Sequence, residues 1–268
     1  VGRPLLADPL ETPRVEPRSG LVLLFLPAAR ILFGCEPRDR GCFDDENPAY
    51  ERAVEGFWIG RTEVTVGAYE RCVQARACSG NVKTPTRSPD RAFDPARWAS
   101  SCNDGKARRA KHPINCIDWN QAQEFCHWIG GRLPTSLEWE RAAKGPEGRL
   151  YPWGDAPVSG ELANFCDRTC HRRHPQFAAL HDVSDGWAET APVGSFPKGA
   201  SAEGVLDLAG NVWEWTATSQ GSDQMEIRGA GWTVDDPRWF RSSNRSWWPP
   251  KTRSLDLGFR CVLDELPR

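Results

Sequence analysis

Residues 207–216 read DLAGNVWEWT and gather Asp207, Gly210, Asn211 and Glu214 around two indoles, Trp213 and Trp215. Carboxylates and backbone carbonyls, brought together by a glycine that lets the chain turn sharply, suit a hard cation. Calcium takes about six to eight oxygen ligands of these kinds. The same residues also suit a metal-free turn in which Asp207 and Glu214 accept hydrogen bonds from backbone amides. A second stretch, CDRTCHRRH, offers Cys166, Cys170, His171 and His174 as potential zinc ligands. Zinc sites usually separate their two ligand pairs by a longer segment so that the bonds can point tetrahedrally, and a small disulfide beside surface histidines is the favoured reading. The clustered carboxylates of CFDDEN, residues 42–47, show no partnered acid or base and read as a solvated loop. The sequence contains no nucleophile elbow, phosphate loop or HExxH motif.

Positioning such groups requires a packed frame, and composition bounds its kind. The 268 residues are enough to bury a real core. With 39% hydrophobic residues but 13 Trp, 24 Gly and 22 Pro, the chain favours turns and irregular loops with indoles filling the gaps. The single Met argues against a flexible helical-bundle core. A formal charge of −2 carries no basic footprint, so no nucleic-acid partner is implied. Ten cysteines, with close pairs at Cys35 and Cys42, Cys72 and Cys78, and Cys166 and Cys170, read first as a disulfide framework, hence an oxidising, extracytoplasmic compartment. Free or metal-bound thiols are the alternative, and spacing alone leaves the connectivity open. The longest apolar run, LVLLFLPAA at residues 21–29, falls far short of the roughly 20 residues a membrane span needs. It reads as a buried strand, with a signal-peptide core as the alternative. A chain that begins at Val1 leaves room for a secretion signal already removed or lost.

Along the chain, residues 1–20, with Pro4, Pro9, Pro13 and Pro17, read as an irregular tail, and residues 21–268 as one domain. GFWIGRTEVT, residues 56–65, alternates as a strand does. Thr65 caps a helix over residues 66–75, and Asp118 caps another over residues 119–129 that Gly130 and Gly131 stop. Thr135 and Glu138 form a capping box for a third helix. Residues 79–113 lack sustained periodicity and read as a long surface excursion anchored by Cys102. Beyond Gly145, short apolar pieces alternate with Gly and Pro. The fold class is α+β and loop-rich.

Taken together and in order, WIGRTEVTVGAY, HPINCIDWNQAQEFCHWIGGRLPTSLEWERAAKG, YPWGD, DLAGNVWEWT, RGAGW and LGFRCV resemble the sulfatase-modifying factor family, the formylglycine-generating enzyme domain, over roughly residues 24–263. RLPTSLEWE, GNVWEW and GFRC in combination are highly specific, though each alone is weak. The resemblance implies a loop-dominated C-type lectin-like fold with few helices and short antiparallel strands. It implies two calcium sites: one from Asn164, the Phe165 carbonyl, Asp185 and the Trp187 carbonyl, the other from Asp207, the carbonyls of Gly210 and Val212, and Glu214. It also implies a disulfide between Cys126 and Cys261, leaving Cys35, Cys42, Cys72, Cys78, Cys102, Cys116, Cys166 and Cys170 for further bridges.

Oxidase members of that family hold copper(I) with a cysteine pair lying between the strand that resembles RGAGW and the final GFRC. Here no cysteine precedes Cys261 in that interval, and Val234 and the neighbourhood of Asp236 and Pro237 stand roughly where the thiolates would be. A hydrocarbon cannot bind a soft metal ion. Related sulfoxide synthases take iron through histidines of an additional helical domain, for which the five scattered histidines here offer no replacement. The expectation is therefore a domain without the copper centre that binds a protein, peptide or glycan ligand. The alternative is an oxidoreductase of the family with relocated thiols or a related tailoring activity. Between Arg228 and Arg260, Trp239, Arg241, Arg245, Trp247 and Trp248 supply the residue types of binding hot spots, and they are the candidate ligand-binding residues, with Trp232 assigned to the core.

Overall fold

The computed structural model describes residues 12–80, 84–87, 94–182 and 184–266. Its first strand, β1 (Arg14–Val15), lies inside the expected irregular tail, whose residues 1–11 fall outside the described residues. β1 pairs antiparallel with β2 (Val22–Leu26). The reversal between them is held by the Glu16 carboxylate, which accepts hydrogen bonds from the backbone N–H groups of Arg18 and Ser19. Pro27 then divides the apolar run: β2 joins one sheet and β3 (Ala29–Phe33) forms a separate hairpin with β4 (Tyr50–Val54).

The buried strand β5 (Phe57–Gly60) completes the inside of the first sheet and leads to α1 (Val66–Gln74), where the Thr65 hydroxyl accepts from the Ala68 N–H as expected. In the excursion, α2 (Pro95–Trp98) is a single turn capped by Asp94. This segment is not purely surface. Trp98 is buried against His174 and Phe177, and the disulfide Cys102–Cys116 ties the stretch down. α3 (Trp119–Trp128) and α4 (Ser136–Lys144) both begin with capping boxes, Asp118 with Gln121 and Thr135 with Glu138. Asp167 caps α5 (Arg168–Arg173).

The C-terminal half supplies β6 (Trp213–Gln220), β7 (Gln224–Arg228), β8 (Arg245–Trp248), β9 (Leu257–Phe259) and β10 (Val262–Leu263). The two four-stranded sheets run β1-β2-β5-β10 and β8-β7-β6-β9, the latter with β9 parallel to β6. Their common core contains Tyr69, Phe125, Trp215, Ile227 and Phe259, all buried. Each such side chain removed from water stabilises the fold by about 1.5–3 kcal/mol. A second cluster packs Trp139, Ala142 and Ala143 of α4 on Leu24, Ile59 and Val262. The Cys126–Cys261 bridge spans 135 residues and fastens α3 to the junction of β9 and β10. Among the described residues no helix is long and apolar enough to cross a membrane.

Candidate functional site

The capping of α5 organises the first cation-ligand set. Beyond the helix N–H groups of Thr169 and Cys170, the Asp167 carboxylate accepts the backbone N–H of Asp185 at 2.5 Å, which draws the 184–187 turn against Asn164 and Phe165. Asp185 in turn accepts the backbone N–H groups of Phe165 (3.2 Å) and Trp187 (2.7 Å). Burial, with the neighbouring Asp167 charge adding to it, pushes the Asp185 carboxyl up to about 7. The Asn164 amide donates to the Glu189 carbonyl and to Asn211 Oδ1, and its own Oδ1 is buried without a hydrogen-bond partner among the described residues. The buried Asp185 carboxyl, tied to the Phe165 N–H, and the unpartnered oxygen of the preceding Asn164 are oxygen donors of the kind calcium takes.

The second set is built differently. Asp207 and Asn211 have positive φ, as does Gly210, where a Cβ would collide with the Asn164 carbonyl oxygen. This crossing locks the 207–214 loop against Asn164. Glu214 is fully buried, and both its oxygens are committed: Arg260 donates to Oε1 at 2.6 Å and to Oε2 at 2.7 Å, and the Trp139 indole donates to Oε2 at 2.7 Å. Glu214 is thus the anion of a buried ion pair, with three hydrogen bonds on its roughly four lone-pair sites. Asp207 accepts the Gly194 N–H at 2.6 Å. Beside it stands Glu63, a residue the sequence reading missed. Glu63 accepts from the Asn211 amide, while its Oε2 is buried without a partner. Burial first, then the Asp207 and Glu214 charges, holds the Glu63 carboxyl well above the carboxylate range, and burial raises Asp207 as well.

The copper-pair positions hold no sulfur. Val234 is partly buried against the core, and Asp236 caps the 3₁₀ turn Pro237–Phe240 and pairs with Arg238. Trp239 lies edge-on to Trp213 at 5.9 Å and 4.8 Å from the ring of Phe43. All ten cysteines are joined in disulfides: Cys35–Cys42, Cys72–Cys78, Cys102–Cys116, Cys126–Cys261 and Cys166–Cys170. The pair in CDRTCHRRH therefore has no thiolate to offer zinc, and His174 is buried between Trp98 and Trp232.

The candidate ligand-binding residues separate into three groups. Arg241 is buried; its guanidinium is bidentate to Glu46 (2.8 and 2.7 Å) and donates to Asp39 at 2.6 Å, so it is a structural tie and not a surface contact. The same contacts correct the reading of CFDDEN, since Glu46 is the buried anchor of that loop. Trp232 is in the core, its indole donating to the Leu255 carbonyl. Trp239 and Trp248 pack against the main core with part of each ring exposed, and Arg87 lies 4.5 Å over the Trp248 ring. Arg245 and Trp247 face the α4 side of β8.

Compared with known proteins, residues 13–265 match the family model described as the sulfatase-modifying factor enzyme 1-like domain. The chain belongs to this family. Among sulfatase-modifying factor relatives, the inactive C-alpha-formylglycine-generating enzyme 2 of Mus musculus is 30% identical over 90% of this chain and 85% of its own length. The formylglycine-generating enzyme of the same species is 28% identical over 84% of this chain and 70% of its own length. The hercynine oxygenase of Mycobacterium tuberculosis (strain ATCC 25618 / H37Rv) is 28% identical, covering 98% of this chain and 66% of its own. In three dimensions, PvdO from Pseudomonas aeruginosa superposes with a TM-score of 0.74 at 24% identity, over 97% of this chain and all of that one. Treponema denticola variable protein 1 superposes at 0.62 with 18% identity, over 91% of this chain and 95% of its own. The sulfatase-modifying factor domain here has the C-type lectin-like fold of these neighbours, mixed helix and sheet with few helices and short strands.

Proposed function

We propose that this domain is an extracytoplasmic binding or accessory module that has the sulfatase-modifying factor frame without a copper oxidase centre. The observation that carries this reading is the pairing of all ten cysteine sulfurs; the family resemblance puts Val234 and the neighbourhood of Asp236 and Pro237 roughly where the oxidases keep thiolates. Copper(I) needs soft ligands, and a disulfide sulfur is a poor one. That a 30%-identical relative is named inactive supports the same reading, and the disulfide density supports an oxidising compartment.

In this reading calcium is structural. Asn164, Asp185 and the carbonyls of Phe165 and Trp187 would hold it, and it would supply the positive charge that the buried Asp185 carboxylate lacks. The chain's own residues keep the loops in place: Asp167 positions the 185–187 turn, and Asn211 and Arg260 hold the 207–214 loop. The ligand is a protein, peptide or glycan element meeting the face that carries β8. The test is to incubate the disulfide-intact protein with copper(I), oxygen and a cysteine-containing sulfatase peptide. The expected result is an unmodified peptide and no oxygen uptake; conversion of the cysteine to formylglycine would overturn the proposal.

A further inference from the structure

Among the described residues, one guanidinium has no hydrogen-bonded partner although its side chain is nine-tenths buried. The Arg245 side chain is 9% exposed, makes no hydrogen bond to the described residues, and has a buried Nε without an acceptor. Its nearest carboxylate oxygen, Glu140 Oε2, is 4.0 Å away and already accepts from Arg228 at 2.9 Å. The other Glu140 oxygen is taken by Lys144 and the Gly34 N–H. Glu226 is likewise engaged, by Arg228 and the Ser136 hydroxyl. The two buried carboxylates beside it are thus satisfied by other groups, the exposed Asp45 acts only from beyond 4.0 Å, and Arg245 stacks 4.6 Å over the ring of Phe33. Burial, then the Arg228 charge, pushes its guanidinium down, the direction expected of a cation short of counter-charge.

Arg245 opens onto a cleft of about 260 Å³ between β8, the start of α4 and the β3–β4 hairpin. On the same wall, the Trp247 indole Nε1 is also buried without a partner. Native proteins rarely leave buried donors unmade, and two on one small cleft mark a place for an external acceptor. Phe33, Tyr50 and Leu137 supply apolar walls, and the first turn of α4 (Thr135 and Ser136) brings the positive end of a helix to the cleft.

We infer that this cleft binds a single carboxylate carried on an aromatic or branched apolar body, with Arg245 forking the carboxylate and the Trp247 indole donating to it. The planar fork of arginine matches a carboxylate bidentately. The volume suits one residue-sized group, either a free acid or the C-terminal residue of a peptide. The inference gives the ligand-binding reading above a definite site and ligand chemistry, and rests on it only for biological context.

The probes are N-acetyl-phenylalanine and a short peptide ending in Phe, each as acid and as amide, titrated by calorimetry against the intact chain. Both acids, or the peptide acid alone, should bind at least tenfold tighter than the matching amides; the second pattern would identify a chain terminus as the source. Arg245→Gln should abolish that preference, whereas Trp247→Phe, which keeps the ring and removes the donor, should weaken the acid severalfold with an unchanged circular dichroism spectrum. Equal binding of acid and amide, or no binding of either acid to the folded wild type, overturns the inference. Oxidation of a sulfatase peptide alongside selective acid binding would instead overturn the accessory-module reading and leave this site standing.

Discussion

The Asn164 amide donates to the Asn211 side-chain oxygen at 3.1 Å, so the two loops that carry the expected cation ligands meet directly, side chain to side chain. Asn211 Oδ1 also accepts the Ala191 N–H, and its Nδ2 donates to Glu63. One buried amide therefore joins three segments distant in sequence. It also accounts for the Asn in DLAGNVWEWT, which is the joint of the site and not one of its ligands.

Replacing Asn211 by Ala should therefore destabilise strongly, because it strands an amide N–H, the Asn164 amide and a Glu63 oxygen at once. Each buried group left unsatisfied costs about 1–3 kcal/mol. A loss of more than about 2 kcal/mol in urea unfolding is expected; an effect below about 0.5 kcal/mol, the range of ordinary surface substitutions, would contradict the joint.

Calcium should raise the melting temperature of chelator-treated protein, and Asn164→Ala should remove that increment while leaving a folded, disulfide-bonded domain. The reason is the stranded Asn164 oxygen beside Asp185, which gains a partner only from outside the chain. Differential scanning calorimetry with and without a chelator measures it. An identical calcium increment in wild type and Asn164→Ala would place the cation elsewhere.

Acid acts on the fold through three named groups: His112 and Glu189 lose stabilisation as pH falls, whereas Asp185, at about 7 in the fold and near 3.8 when unfolded, gains it between those values. His112 is pushed down to about 4, by burial first and then by the Arg109 charge. Because the unfolded chain binds that proton near 6.5, the His112 share of stability falls as pH drops from about 6.5 to 4, against the opposite share of Asp185. For Glu189, burial opposes ionisation, but the His174 contact, the Arg109 charge and the Ser101 hydroxyl outweigh it and hold the group at about 2. Its stabilisation is present above about 4.5 and disappears as pH falls from there to about 2. Compared with wild type, His112→Gln should lose less stability, or gain more, between about pH 6.5 and 4 and leave the step below about 4.5 unchanged; an identical profile above pH 4.5 would sink the assignment.

Arg241 and Arg245 are separated by three residues and should respond oppositely to truncation. Arg241→Ala leaves Glu46 and Asp39 buried without their cation, and breaking a buried pair costs about 3–5 kcal/mol. Arg245→Gln breaks no ion pair closer than 4.0 Å and should leave stability nearly unchanged or raised. Chemical denaturation of both variants tests the contrast, and similar losses from the two would contradict it.

Local chemistry was the legible part of the sequence. Thr65, Asp118 and Thr135 cap helices because short polar side chains before apolar periodicity have little else to do, and all three accept a helix N–H here. The apolar run at residues 21–29 is buried strand, although Pro27 divides it between two sheets. The Cys126–Cys261 bridge implied by the family resemblance is present. What failed were inferences about partners. Arg241 looked like a binding residue and Glu46 a solvated acid, because an ion pair between residues this far apart in sequence leaves no local pattern. The Arg260 partner of Glu214, which follows β9, left no local pattern for the same reason. Glu63 gave no signal, since a carboxylate between Thr62 and Val64 reads like any strand-end charge.

Every cysteine sulfur of this domain is tied into the frame, which leaves no thiolate pair for copper(I). Titrating thiols in protein secreted into an oxidising compartment, unfolded without reductant, tests it most directly. The account predicts no reactive thiol; two per chain, protected from titration by copper(I) in the folded state, would contradict it.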